Sequence, residues 1–275
     1  MKCTDHFLSQ ESFELLFDES LKAYKTFPVP ESLEKYYSSE SYFSHNNAKK
    51  SVVEKLYATA KHYRNKAKWK AVLRLRPEAD RSSPFRLFDF GSGDNSFVLS
   101  APEGVISLGY DPFSSSATYG YEGSVDALNA NQAVFDAITL WHSLEHTANP
   151  VEELRKLRGL LKPGGQFHIA VPNHASWDAE QYKTFWAGYD VPRHLWHFSY
   201  ESFEAISERL GLELLSKKAQ WFDALYVSYL SEKYKGSTAP LLKGSMRTLM
   251  AMATRNAFKR PSALYVVLKK PPCAL

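Results

Sequence analysis

Asp89-Phe90-Gly91-Ser92-Gly93-Asp94-Asn95 is the stretch on which the fold turns. Phe85 to Phe90 reads as a strand that runs directly into Gly91. Glycines there let the chain turn tightly and let a ligand approach the backbone. Working outward, Val105 to Tyr110 reads as a second strand ending at Asp111, and a weaker third lies near Gly123 to Val125. Phe135 to Leu140 is a fourth strand. Val151 to Leu161 has the spacing of an amphipathic helix, stopped by Pro163-Gly164-Gly165. Gln166 to Val171 follows as a fifth strand, and Phe203 to Leu210 as a helix capped by Gly211. A strand near Leu212 to Lys217, one or two helices between Ala224 and Phe258, and the strand Ala263 to Leu268 complete the pattern. Strands alternating with helices imply βαβ units. The expectation is a doubly wound, Rossmann-like α/β fold. Its mostly parallel sheet has seven strands, and the last two strands, with their long connection, fit an antiparallel edge.

Residues 1 to 76 read as a small N-terminal cap and residues 77 to 275 as the main domain, with a helical insertion around 224 to 260. In the cap, Phe13, Leu15 and Phe17 alternate as in a half-buried strand, and Val53, Leu56, Tyr57, Ala60 and Tyr63 repeat at helical spacing. That helix is basic: Lys49 to Arg76 holds ten Lys or Arg against Glu54. It reads as a solvated face. Trp221, Phe222, Leu225, Tyr226 and Tyr229 read as buried core rather than a membrane or partner face.

The net charge of +4 is too mild to imply nucleic acid. Cys3 and Cys273 match no metal spacing, which points to a reducing compartment. No apolar run is long enough to span a bilayer, and the polar start Met1 to His6 lacks a signal-peptide core, so a cytoplasmic protein with no membrane partner is expected.

The residues around the glycine turn suggest the ligand's charge. Asp89 would attract a sulfonium and an ammonium, as in S-adenosylmethionine (SAM), and would repel a pyrophosphate. The nucleotide pattern Gly-x-Gly-x-x-Gly fails at Ser96. Asp111 can accept from both hydroxyls of a ribose, a feature shared with nicotinamide-binding proteins.

Taken together, Asp89-Phe-Gly-Ser-Gly, Tyr110-Asp111-Pro112, Val125-Asp126-Ala127 and Phe135-Asp136-Ala137-Ile138 resemble class I SAM-dependent methyltransferases. So do Leu144-Glu145-His146, Leu160-Leu161-Lys162-Pro163-Gly164-Gly165 and Val171-Pro172-Asn173. The resemblance covers roughly residues 85 to 215, and its nearest subgroup looks like the ubiquinone-pathway O-methyltransferases and bacterial relatives of unassigned substrate. It implies that Asp89, Gly91 and Gly93 surround the methionine part of SAM, that Asp111 holds the ribose, and that Asp126 and Ala127 meet the adenine. Trp141 and His142 would face the cofactor, with Ser92, Asn95 and Pro112 completing the set. Asn95 stands where the family often has a third glycine, and Asn tolerates left-handed backbone angles.

His142-Ser-Leu-Glu145-His146 matches a zinc peptidase string, but it follows a strand directly instead of lying within a helix. Some ubiquinone-pathway relatives carry acid and His residues here that hold a divalent ion. No metal is assigned.

Trp186 to Ser199 follows the fifth strand and so lies at the same sheet edge. If the acceptor is a hydroxyl, a base must take its proton. His194 is the first candidate, with His197 and His146 behind it. Tyr37, Tyr42, Trp186, Tyr189 and Arg193 are candidates for acceptor binding. The other reading of this loop, that Arg193 and His194 anchor it by hydrogen bonds while the aromatics pack, stays open. The function expected is methyl transfer from SAM to a small molecule, at a hydroxyl oxygen, with nucleic acid not expected and a homodimer left open. RNA or protein methylation is one alternative, and a non-catalytic SAM- or NAD-binding module is another.

Overall fold

The structure, a computed structural model, describes residues 1–37, 52–76, 83–111, 133–220, 223–253 and 260–272, with side chains of the helix Val52–Leu73 described from residue 61 onward. Pro112, Asp126, Ala127, Tyr42, Trp221, Phe222, Cys273 and the strand expected near Gly123 lie outside those residues.

The first three strands are β1 (Lys2–Thr4), β2 (Ser12–Asp18) and β3 (Ala23–Phe27). The main sheet follows with β4 (Phe85–Phe90), β5 (Val105–Tyr110), β6 (Phe135–Trp141) and β7 (Leu161–Pro172). The chain then forms β8 (Trp196–His197), β9 (Glu213–Gln220) and β10 (Ala263–Lys269). Among the described residues, six strands form the main sheet in the order β5-β4-β6-β7-β10-β9. The pairs β5/β4, β4/β6 and β6/β7 are parallel, and β10 is antiparallel to both β7 and β9. The antiparallel strand is therefore second from the edge, where the sequence suggests the edge itself. Burial explains the placement. β10 is buried from Ala263 to Leu268 and needs a neighbour on each side, while β9 alternates in exposure and carries Lys217 and Lys218.

Helices cover the main sheet for legible reasons. Pro150–Leu160 starts at Asn149, whose side chain accepts from the Glu152 N–H at 3.2 Å, and Pro150 occupies its first turn. Val151, Leu154 and Leu157 form its buried stripe. Tyr200–Leu210 is closed by a reciprocal Ser199–Ser202 cap at its start and by Gly211 in the left-handed region at its end. Pro163-Gly164-Gly165 does end the preceding helix, but it already belongs to β7: the Gly164 N–H donates to Lys270 O and the Lys270 N–H to Gly165 O.

Val52–Leu73 is more than a solvated face. Tyr63 is exposed, whereas Asn65, Trp69 and Val72 are buried. Trp69 stacks on Phe97 with ring centres 4.4 Å apart, in one cluster with Phe85, Leu87 and Ala137 of the main sheet. The helix assigned by sequence to the cap thus packs on the main sheet.

β1, β2 and β3 form a second, antiparallel sheet, and its fourth strand is β8, borrowed from the loop after β7. Phe13 and Leu15 are buried as their alternation predicts, while Phe17 lies at the surface against Tyr24. Leu225 and Tyr226, expected in the core, are exposed on the helix Ala224–Tyr234.

Candidate cofactor and acceptor site

Backbone geometry sets the turn after β4. Gly91 has φ +77°, and a Cβ there would fall 2.3 Å from Ser143 Cβ, so no other residue fits. The Gly91 and Ser92 N–H groups donate to Tyr110 O at 2.7 and 3.0 Å, and Ser143 Oγ donates to Phe90 O at 2.7 Å. Asn95 adopts φ 58°, as its residue type allows. The Gly93 N–H donates to Asp111 Oδ2 at 2.8 Å. Ser92 Oγ and Asn95 Oδ1 are buried with no hydrogen-bond partner among the described residues.

Asp89 lies at the end of β4, buried, and accepts from the Thr139 hydroxyl. Burial pushes its pKa up to about 6, against the hydrogen bond from Thr139 and the charge of Lys68. Lys68 comes from the basic helix, and burial brings its ammonium down to about 8 while Asp89 opposes the shift. Its Nζ sits 4.7 Å above the Trp141 ring. Trp141 itself is half-buried, stacked on Tyr265 at 5.7 Å and edge-on to Phe97.

His142 takes φ 57° at the end of β6 and stands between two carboxylates: Nδ1 lies 3.3 Å from Glu145 Oε1 and Nε2 lies 3.4 Å from Asp223 Oδ2. Burial disfavours its charge, but Asp223 and Glu145 outweigh that and hold it at about 9. Glu145 is fully buried, and neither of its carboxylate oxygens has a hydrogen-bond partner among the described residues. Burial opposes its charge too, yet His142 at its side, with His194 and His146 beyond, keeps its pKa below the usual range.

His146 and His194 complete a trio with Glu145. Their rings meet edge to face at 4.7 Å. His146 Nδ1 lies 2.9 Å from Arg193 O and 3.0 Å from the Tyr37 hydroxyl, and His194 Nδ1 lies 3.0 Å from Gly188 O. A carbonyl only accepts, so each Nδ1 carries the hydrogen, and Nε2 is left as the lone-pair nitrogen of the neutral ring. Burial, with His146 alongside, pushes His194 down to about 4 and keeps it neutral. Glu145, His146 and His194 offer ligand atoms within 4.8 Å of one another. Two imidazoles and a carboxylate suit a borderline divalent cation. The sequence assigns no metal here, but this donor set can hold one.

The rest of the loop does other work. Arg193 is 1% exposed, and its guanidinium engages Asp190, Asp5 and Tyr36 O at 2.6 to 3.5 Å. Burial alone would lower its pKa, yet the Asp190 and Asp5 carboxylates raise it. It clamps β1's end to the loop and is withdrawn from acceptor binding. His197 Nε2 lies 3.0 Å from Thr26 Oγ1, which itself donates to His194 O. His197 is buried in the small sheet and is withdrawn as a base. Trp186 and Tyr189 pack edge to face in the core beneath β2, and Trp186 Nε1 donates to Asp178. Of the acceptor candidates described, Tyr37 meets the trio through its side chain and Arg193 only through its backbone carbonyl.

A family model described as a methyltransferase domain matches residues 60–217, more than half of the chain. The chain belongs to the methyltransferase domain family. It is an enzyme of methyl transfer with SAM as cofactor. Among solved structures it is similar to a SAM-dependent methyltransferase from Archaeoglobus fulgidus, at 20% identity over 78% of this chain and 99% of that one, with a TM-score of 0.46. It is also similar to one from Mesorhizobium loti, at 19% identity over 74% and 97%, with a TM-score of 0.46. No curated protein matches the chain in sequence.

The turn of this methyltransferase fits the cofactor. Gly91 bends the chain at positive φ and Asp89 brings negative charge to the end of β4, while Ser92 Oγ and Asn95 Oδ1 pack over Gly109 and hold the turn against β5. Sequence reading missed Lys68, Thr139 and Asp223. Lys68 and Thr139 bear no motif, and Asp223 lies 81 positions from His142. The signal available for Lys68 was its position beside Trp69, one step from a buried ring on the basic helix.

Proposed function

We propose that this methyltransferase transfers its methyl group to the hydroxyl oxygen of a small-molecule acceptor held between the glycine turn and the Glu145–His146–His194 trio. SAM, when bound, supplies an electrophilic methyl on a sulfonium. The protein's part is to align the acceptor, exclude water and receive a proton. The observation that carries the reading is the lone-pair Nε2 of His194, fixed by the Gly188 carbonyl and set near a buried carboxylate. With SAM bound, the methyl–sulfur bond would break to leave a neutral thioether as the oxygen–carbon bond forms, and Nε2 would take the hydroxyl proton, with Glu145 and Asp190 balancing the imidazolium charge. Tyr37 and His146 orient the acceptor from the other side.

The test is an acceptor screen with methyl-labelled SAM, followed by His194→Ala and His194→Gln kinetics. The expected loss in kcat is about 10²- to 10⁴-fold, with SAM affinity retained. Unchanged turnover removes His194 from the mechanism, and label found in RNA or protein alone overturns the acceptor class. A second reading rests on the donor geometry: the trio holds a divalent cation that polarises the acceptor oxygen. Activity lost to a chelator and restored by Zn²⁺ or Mn²⁺ selects it over the base.

A further inference from the structure

The helices Ala224–Tyr234 and Pro240–Ala253 form a hairpin whose inner face is built for close packing. A Cβ on Gly244 would fall 2.9 Å from Tyr229 N, and Ala251, seven residues on and so on the same side, is also buried. The outer face of Pro240–Ala253 is different. Leu241, Leu242, Met246, Leu249, Met250 and Met252 are each 51 to 66% exposed. At α-helical spacing these six fall within about half the circumference, opposite Gly244 and Ala251. Three of the chain's four methionines are among them. Leu225 and Tyr226 on the first helix are exposed as well.

Charge identifies the occupant. Pro240–Ala253 contains no Asp or Glu. The hairpin's acid, Glu232, is buried and paired with Arg247 at 3.3 Å. Lys233, Lys235 and Lys243 are exposed on the hairpin, Lys243 on the same helix as the apolar face, and Arg255 and Lys259 follow in sequence. A second copy of the chain docked symmetrically here would set like charges against each other, whereas an anionic lipid surface complements them. Fourteen residues span about 21 Å, short of the roughly 30 Å needed to cross a bilayer. No helix among the described residues is long and apolar enough to cross a membrane.

We propose that Pro240–Ala253 seats the protein on an anionic bilayer, lying in the headgroup plane with its Leu and Met face buried among the acyl chains. This departs from the sequence reading, which expects no membrane partner. It stands whether or not the acceptor reading does.

The experiment is flotation of the full chain with vesicles of phosphatidylcholine alone and of phosphatidylcholine with phosphatidylglycerol, at low and high salt. The anionic vesicles are expected to bind at least about tenfold more protein, and less as salt rises. Leu242→Asp with Leu249→Asp changes two exposed side chains. It is expected to abolish binding while leaving the melting temperature and SAM affinity unchanged. Lys243→Glu is expected to weaken binding by more than about fivefold. No binding to phosphatidylglycerol vesicles, or unchanged binding by the double variant, overturns the proposal. So does a dimer in sedimentation equilibrium that the double variant dissociates when the wild type binds no vesicles.

Discussion

The turn after β4 and the loop after β7 both lie at the carboxyl rim of the sheet, and both look chemical in sequence, yet they are held in place by different means. In the turn, function rests on backbone: Gly91 at φ +77°, Asn95 at φ 58° and the N–H groups fixed by Tyr110 O. In the loop, function rests on side chains whose partners come from elsewhere. Arg193 finds Asp5, 188 positions away, and His197 finds Thr26, 171 away. A conspicuous residue in such a loop is as readily a clamp as a catalyst.

The comparison can be broken most sharply at Arg193. Arg193→Met leaves Asp5 buried without its guanidinium and is expected to cost about 3–5 kcal/mol of stability, since a broken buried pair strands a charge. Thermal unfolding checks it. A normal melting temperature with a raised KM for the acceptor would return Arg193 to the substrate. Next is Gly91→Ala, where both the clash with Ser143 and the positive φ act, for about 2–4 kcal/mol. Calorimetry should show SAM binding largely lost. Gly211→Ala is the control: it shares the left-handed backbone but meets nothing within 4 Å, so it should cost only about 1 kcal/mol and spare SAM binding.

The smallest effect is on pH. Asp89 has its pKa raised to about 6, so its carboxylate is charged above that value and protonated below it. A cationic ligand favours the charged form. SAM affinity should therefore be flat above pH 6 and fall as pH drops below it, approaching tenfold per unit. Asp89→Asn should remove the dependence, and a profile unchanged in that variant would place the titration elsewhere.

Strands were legible where hydrophobic runs were long. Phe135 to Leu140 and Ala263 to Leu268 read as strands because interior strands need no polar face. That β10 sits inside β9 was less legible, because pairing depends on which neighbour can tolerate water at the edge. β8 could not be read at all: two residues, Trp196 and His197, are a strand only because β3 is there to pair with them. In the turn, Gly91, Gly93 and Asn95 were legible as backbone positions because a left-handed conformation restricts residue type locally. The Glu145–His146 end of the trio was visible as a string. Its third member was one of two equivalent-looking histidines, and only the direction of Gly188 O and Thr26 Oγ1 separates His194 from His197.

Asp223 opens the helical hairpin and also faces His142 Nε2 at 3.4 Å. One carboxylate thereby joins the start of the hairpin to an imidazole at the end of β6. The root of the hairpin and the end of β6 therefore share one electrostatic contact, with Glu145 on the far side of the ring as the imidazole's other counter-charge.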